Sequence, residues 1–134
     1  MANIADIEGI GGAYAEKLGA AGVTSVDGLL EAGATPKGRS DLAAQTGISD
    51  KLVLKWVNHA DLFRINGVAG EYAELLEAAG VDTVAELAQR NGANLAKAMA
   101  ETNEKKSLTR TVPGEAQVTK WIDEAKTLPR KVNY

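Results

Sequence analysis

The stretch IEGIGGAYAEKLGAAGVTSVDGL at residues 7–29 returns as INGVAGEYAELLEAAGVDTVAEL at residues 65–87, and 13 of the 23 aligned positions are identical. Composition alone does not explain a match of this length. The pattern predicts a tandem duplication that joins near Arg64, with halves at residues 1–64 and 65–134. No Gly/Ser-rich or Pro-rich linker separates the halves, so we expect them to pack together as one compact body.

Helix start and stop signals follow one another at short intervals in both halves. Glycines stand where helices should end, and Ser, Thr or Asn residues stand where N-caps are expected. Runs of alternating β-branched and polar residues are absent from the sequence. The predicted fold is therefore all-α, with roughly eight short helices. The clearest of them span about residues 12–21, 25–33, 36–46, 50–63 and 94–104, followed by a last helix that ends near 127.

The composition excludes several kinds of chemistry. The 134 residues include no cysteine and one histidine, so disulfides, thiol nucleophiles and thiolate metal sites are excluded. His59 is interpreted as a surface or capping residue, because no nucleophile or acid–base partner is placed by spacing. We expect a protein that is not an enzyme and has no cofactor or bound metal.

The sequence shows no signal for membrane insertion or export. Its apolar runs are far shorter than the roughly 20 residues that a membrane-spanning helix needs. Its first residues lack the basic and then apolar pattern of a signal peptide. We therefore expect a cytoplasmic protein with no membrane partner.

Charge is distributed unevenly along the chain. The net charge is −3, which argues against a strong and undifferentiated nucleic-acid binder. Residues 1–96 contain 7 basic and 13 acidic side chains, whereas residues 97–134 contain 8 basic and 5 acidic ones. A local anion site remains compatible with this distribution.

Residues 7–11, which we name the first glycine loop, have the pattern apolar-x-Gly-apolar-Gly directly before a predicted helix. Glycines permit a tight turn there, and the start of a helix offers unpaired N–H groups and partial positive charge. The pattern resembles the helix-hairpin-helix motif. This resemblance implies that the amides of Gly11, Gly12 and Ala13 bind a DNA phosphate without reading base sequence. The structural interpretation is that tight turns between helices need glycine whether or not a ligand binds.

The second copy, at residues 65–69, departs from this pattern, and we name it the second glycine loop. Ala69 replaces its second glycine, and Glu71, Glu74 and Glu77 follow at three-residue spacing. Such a face repels phosphate and suits a basic protein partner. We therefore assign phosphate binding to the first glycine loop or to the turn at Ser49, with nearby cations as counter-charge. The predicted nucleic-acid-binding residues are Gly9, Gly11, Gly12, Ala13, Lys17, Lys37, Arg39, Ser49, Lys51 and Lys55.

Over nearly its full length the chain also resembles a family of small uncharacterised bacterial and archaeal proteins built from tandem helix-hairpin-helix units. The stretches that carry the resemblance are IEGIGGAYAEKLGAAGV, EAGATPKGRSDLAAQTGIS, LKWVNHADLFRI, EYAELLEAAGVDTVAELAQRN and LPRKVNY. The resemblance implies the fold, but it implies no activity, because fold does not determine function. Trp56 and Trp121 follow a lysine in each half and are interpreted as core anchors.

Two functions follow from these observations. The first is a non-catalytic module that binds the backbone of DNA or RNA weakly through the first glycine loop. The alternative is a protein interaction or scaffold module with no nucleic-acid binding, which uses the acidic second repeat.

Overall fold

The structure, a computed structural model, describes residues 3–134. Over this range it forms α-helices and no β-strand, which confirms the all-α prediction. A short 3-10 helix, Ile4–Asp6, comes before the first of them. The eight α-helices are α1 Gly12–Ala20, α2 Val26–Ala32, α3 Pro36–Thr46, α4 Asp50–Leu62, α5 Gly70–Ala78, α6 Val84–Leu87, α7 Gly92–Lys106 and α8 Glu115–Ala125.

Local capping determines where several of these helices begin. The Thr35 hydroxyl accepts the amide of Gly38 at 3.0 Å, and Pro36 occupies the first helical position of α3. Asn91 caps α7 in the same way by accepting the amide of Asn94 at 3.0 Å. Because of this cap, α7 starts at Gly92, slightly earlier than the sequence pattern predicted.

The chain divides into two compact units. The first unit comprises the chain up to Asp61 together with Lys131–Tyr134, and the second unit is Leu62–Arg130. The sequence-based boundary at Arg64 lies three residues from the observed one. Lys131–Tyr134, which we name the closing segment, belongs to the first unit because it hydrogen-bonds to residues of that unit.

Each unit has its own buried apolar residues. In the second unit, α7 packs against α8 and α5, and α6 packs against α8. Trp56 and Trp121 are both buried, as predicted for core anchors. In the first unit the largest fully buried apolar side chains are Ile7, Leu18, Leu29 and Trp56, and in the second they are Leu62, Ile65, Leu75, Leu76, Leu87, Leu95 and Met99.

Within residues 3–134, none of the helices has both the length and the apolar character that crossing a membrane requires.

Candidate nucleic-acid interface

Two buried isoleucines anchor the first glycine loop in the core of the first unit. Ile7 and Ile10 are buried, and the amide of Ile10 donates to the carbonyl of Ile7 at 3.2 Å. Gly9 lies between them with φ +93°, in the left-handed region that favours glycine. The apolar side chains therefore point inward while the glycine backbone faces solvent.

The N-terminus of α1 is open. Gly11 is its N-cap and has no side chain to accept an amide, and the first backbone bond of the helix runs from Ala15 N to Gly11 O at 2.9 Å. Among the described residues, no acceptor contacts the amides of Gly11, Gly12 or Ala13. A β-carbon added at Gly11 or Gly12 would have nothing within 4 Å. An anion can therefore approach this backbone closely.

Lys17 is connected to the loop through two aromatic side chains. The ammonium of Lys17 lies 5.8 Å from the centroid of the Tyr14 ring, and that ring packs edge-on to Trp56 with centroids 5.0 Å apart. The indole of Trp56 lies against Gly9. Lys55 directly precedes Trp56 on α4 and is half-buried.

The turn before α4 differs from the first glycine loop. The Ser49 hydroxyl accepts the amide of Leu52 at 3.2 Å, so part of this N-terminus is satisfied internally. Asp50, in the first turn, adds a negative charge that favours the helix but disfavours an anion. Lys51 is exposed. Of the two turns, the first glycine loop offers the more accessible amides.

Lys37 and Arg39 lie on the same helix, α3, in different surroundings. Lys37 is exposed and pairs with Asp41 at 3.6 Å. Arg39 is only 8% exposed and donates to the carbonyls of Gly33 at 2.8 Å and Asn133 at 2.7 Å. The structure therefore corrects the assignment of Arg39, whose guanidinium is used inside the first unit. This contact was not predictable from local sequence, because Asn133 lies 94 positions from Arg39.

The second glycine loop repeats the geometry of the first but is already paired with a carboxylate. Gly67 has φ +89°, and the Tyr72 ring lies 5.5 Å from that of Trp121. Both carboxylate oxygens of Glu124 accept the amide of Asn66, at 3.2 and 3.3 Å. This negative charge beside the loop adds to that of the glutamates on α5. Sequence reasoning missed Glu124 because it lies 58 residues from the loop that it contacts.

The structure also corrects the interpretation of His59 as a surface or capping residue. It is fully buried near the end of α4 rather than at the surface. The burial of Trp56 and Val57 just before it shows that this part of α4 lies inside the first unit. The identity of this residue as histidine does not by itself predict whether it is buried.

The sequence profile of one family matches residues 8–128, which include both glycines of the first glycine loop and all of the second glycine loop. The chain belongs to the DUF4332 family, a domain of unknown function. Membership of an uncharacterised family is thereby confirmed. No curated protein and no solved structure matches this DUF4332 chain. Within its residues 3–134, no group of three His, Asp or Glu side chains is arranged to hold a metal ion.

Proposed function

We propose that this DUF4332 chain is a non-catalytic module of the helix-hairpin-helix type that binds the sugar-phosphate backbone of DNA or RNA weakly and without sequence preference. The observation that carries the proposal is the open N-terminus of α1. There the amides of Gly11, Gly12 and Ala13 are exposed and have no acceptor among the described residues. Amides at a helix N-terminus and the partial positive charge of the helix favour a phosphate oxygen.

The number of nearby cations predicts weak binding. Lys17, Lys51 and Lys55 are the lysines of α1 and α4, the helices that contact one another beside the loop. Neutralising two or three phosphates gives a slope of about −2 to −3 for log K against log salt concentration. Raising salt from about 50 to 200 mM should then weaken binding by about 10- to 40-fold. Backbone contacts carry no direct sequence information, so different duplexes should bind alike.

Gly11→Val tests the proposal with little risk to the fold. Gly11 has φ −85° and ψ −176°, an extended conformation that valine adopts, and a β-carbon there meets nothing within 4 Å. The added methyl groups would keep a phosphate away from the amides. We expect fluorescence anisotropy with labelled duplex and single-stranded oligonucleotides to show at least about tenfold weaker binding at 50 mM salt.

Gly114→Val is the matched control. Gly114 is the N-cap of α8, has φ −78° and ψ 169°, makes no side-chain cap bond and also has open space around a β-carbon. This variant should bind as the parent chain does. Equal binding by the parent and Gly11→Val, with both folded by circular dichroism, would contradict the proposal.

The alternative, a protein interaction module, is supported by the surface of α5. Glu71 is exposed in its first turn, and Glu74 is half-buried on the same helix. Absence of nucleic-acid binding by the folded parent chain at 50 mM salt would favour this function. Partners captured by pull-down should then survive nuclease treatment and be lost in Glu71→Lys.

A further inference from the structure

The closing segment, residues 131–134, runs along the connection between α2 and α3. The amide of Asn133 donates to the carbonyl of Ala34 at 2.8 Å. The carbonyl of Asn133 accepts from Arg39, which also donates to the carbonyl of Gly33. Both backbone groups of one residue are thus paired, as when an extended peptide is recognised through its main chain.

Arg39 joins the closing segment to the first unit by donating to a carbonyl of each. Arg39 as a whole is only 8% exposed, and the partners of its guanidinium are backbone carbonyls and the ring of Tyr134, 5.8 Å away. Within residues 3–134, no carboxylate forms a salt bridge with it. A buried charge that bonds to carbonyls is costly to leave unsatisfied. Arg39 therefore needs an acceptor in the position that Asn133 O occupies.

Side chains on both sides of Asn133 define what the site accepts. Val132 is 1% exposed, so the position before Asn133 takes a compact aliphatic side chain. Tyr134 is 60% exposed, but its hydroxyl donates to Asn58 Oδ1 at 3.2 Å and its ring lies 5.8 Å from the Arg39 guanidinium, so the position after Asn133 favours an aromatic residue with a hydroxyl. Asn133 itself is exposed, and its side chain is not selected.

A groove beside the closing segment adds a preference at the position before Val132. It has a volume of about 450 Å³, and its lining includes Asp27 and Glu31 of α2 together with Lys131. Carboxylates one helical turn apart favour a basic residue at this position by charge complementarity. The preferred ligand is therefore an extended peptide with the order basic, aliphatic, any residue, tyrosine.

We propose that the first unit contains a binding site for an extended peptide of this chemistry, and that the closing segment occupies it reversibly within the same chain. Tethering gives the segment an effective concentration in the millimolar range, which favours its binding over that of a free peptide. Residues 131–134 belong to no helix, so the segment can leave by local opening while the helices stay folded. A free peptide with the same sequence then competes for the site.

The test uses a fluorescein-labelled peptide of residues 130–134, RKVNY, and fluorescence anisotropy. Its receptor is the full chain with Val132→Asp and Tyr134→Ala, which removes the two anchors of the closing segment. This emptied variant should bind the peptide at least about tenfold more tightly than the parent chain, in which the tethered segment competes. Equal binding by the two chains, or no binding by a folded emptied variant, overturns the proposal.

Arg39→Gln in the emptied variant should weaken peptide binding by at least about tenfold, because glutamine cannot donate to both carbonyls. Lys37→Gln, an exposed cation on the same helix, is the matched control and should leave binding unchanged. A peptide with aspartate in place of Val132 should not bind. Peptide binding that is insensitive to Arg39→Gln overturns the assignment of the site.

Hydrogen exchange of the parent chain decides the question if the variants do not fold. The amide of Asn133 should exchange through local opening, well before the buried amides of α4 such as that of Val57. Protection of the Asn133 amide equal to that of Val57 would show that the segment leaves only on global unfolding, which overturns its reversible occupancy.

Discussion

The indole nitrogen of Trp56 lies 3.3 Å from the position that a β-carbon on Gly9 would occupy, and Trp121 stands in the same relation to Gly67 at 3.4 Å. Each tryptophan lies on the last helix of its unit, α4 or α8, and contacts a tyrosine of the helix that follows the loop. A buried tryptophan thus supports each glycine loop from inside. The helices α4 and α8 determine how much space each loop has.

Gly9→Ala should destabilise the chain more than Gly22→Ala. Both glycines have positive φ, +93° and +86°, so both substitutions incur backbone strain of about 1–2 kcal/mol. A β-carbon meets the Trp56 indole at Gly9, whereas at Gly22 it meets nothing within 4 Å. Urea unfolding should therefore give the lower free energy of unfolding for Gly9→Ala. Equal losses would show that the indole moves aside at no cost.

Glu8→Gln should strengthen nucleic-acid binding. Glu8 is exposed within the first glycine loop, so its carboxylate repels a phosphate that approaches the α1 amides. Because exposed charges interact weakly, we expect about a two- to fivefold gain in affinity at 50 mM salt, and less at 200 mM. Glu115→Gln, at an exposed position in the first turn of α8, is the control that should have no effect. Unchanged or lower affinity for Glu8→Gln would argue against phosphate binding at this loop.

Lys51→Glu with Lys55→Glu should both weaken nucleic-acid binding and reduce its salt dependence. Each cation that contacts a phosphate contributes about −0.9 to the slope of log K against log salt concentration, so its loss makes the slope shallower. Anisotropy titrations at several salt concentrations measure this slope. The control is the charge reversal of Lys105 and Lys106, which are exposed at the end of α7. A slope equal to that of the parent chain would place the bound anion away from α4.

Asn103→Ala should destabilise the second unit. The Asn103 side chain accepts the amide of Thr109 at 2.9 Å and donates to the carbonyl of the same residue at 3.0 Å. Loss of both bonds leaves partly buried backbone groups unsatisfied, at a cost of about 1–3 kcal/mol. Asn94→Ala, an exposed position on the same helix, should change the melting temperature little. Equal melting temperatures for the two variants would show that water replaces the Asn103 bonds.

Several helix boundaries were predictable because their signals are local. Thr35 and Pro36 mark the start of α3, and a positive φ at Gly47 ends it, as the sequence indicated. Capping bonds join residues only three positions apart, so the sequence near each boundary contains both partners. The same holds for the first glycine loop, because the loop and the helix that follows it lie within residues 7–20.

The sequence by itself determined the all-α class, the positions of the main helices and the two glycine loops. The tertiary structure alone decided which charged and polar groups remain available: Arg39 is bound to Asn133, Asn66 is paired with Glu124, and His59 is buried. The physical reason is the distance along the sequence between the residues that interact. Caps and turns depend on neighbouring residues, whereas burial and charge pairing depend on which distant helices pack together, and residue type alone does not specify those neighbours.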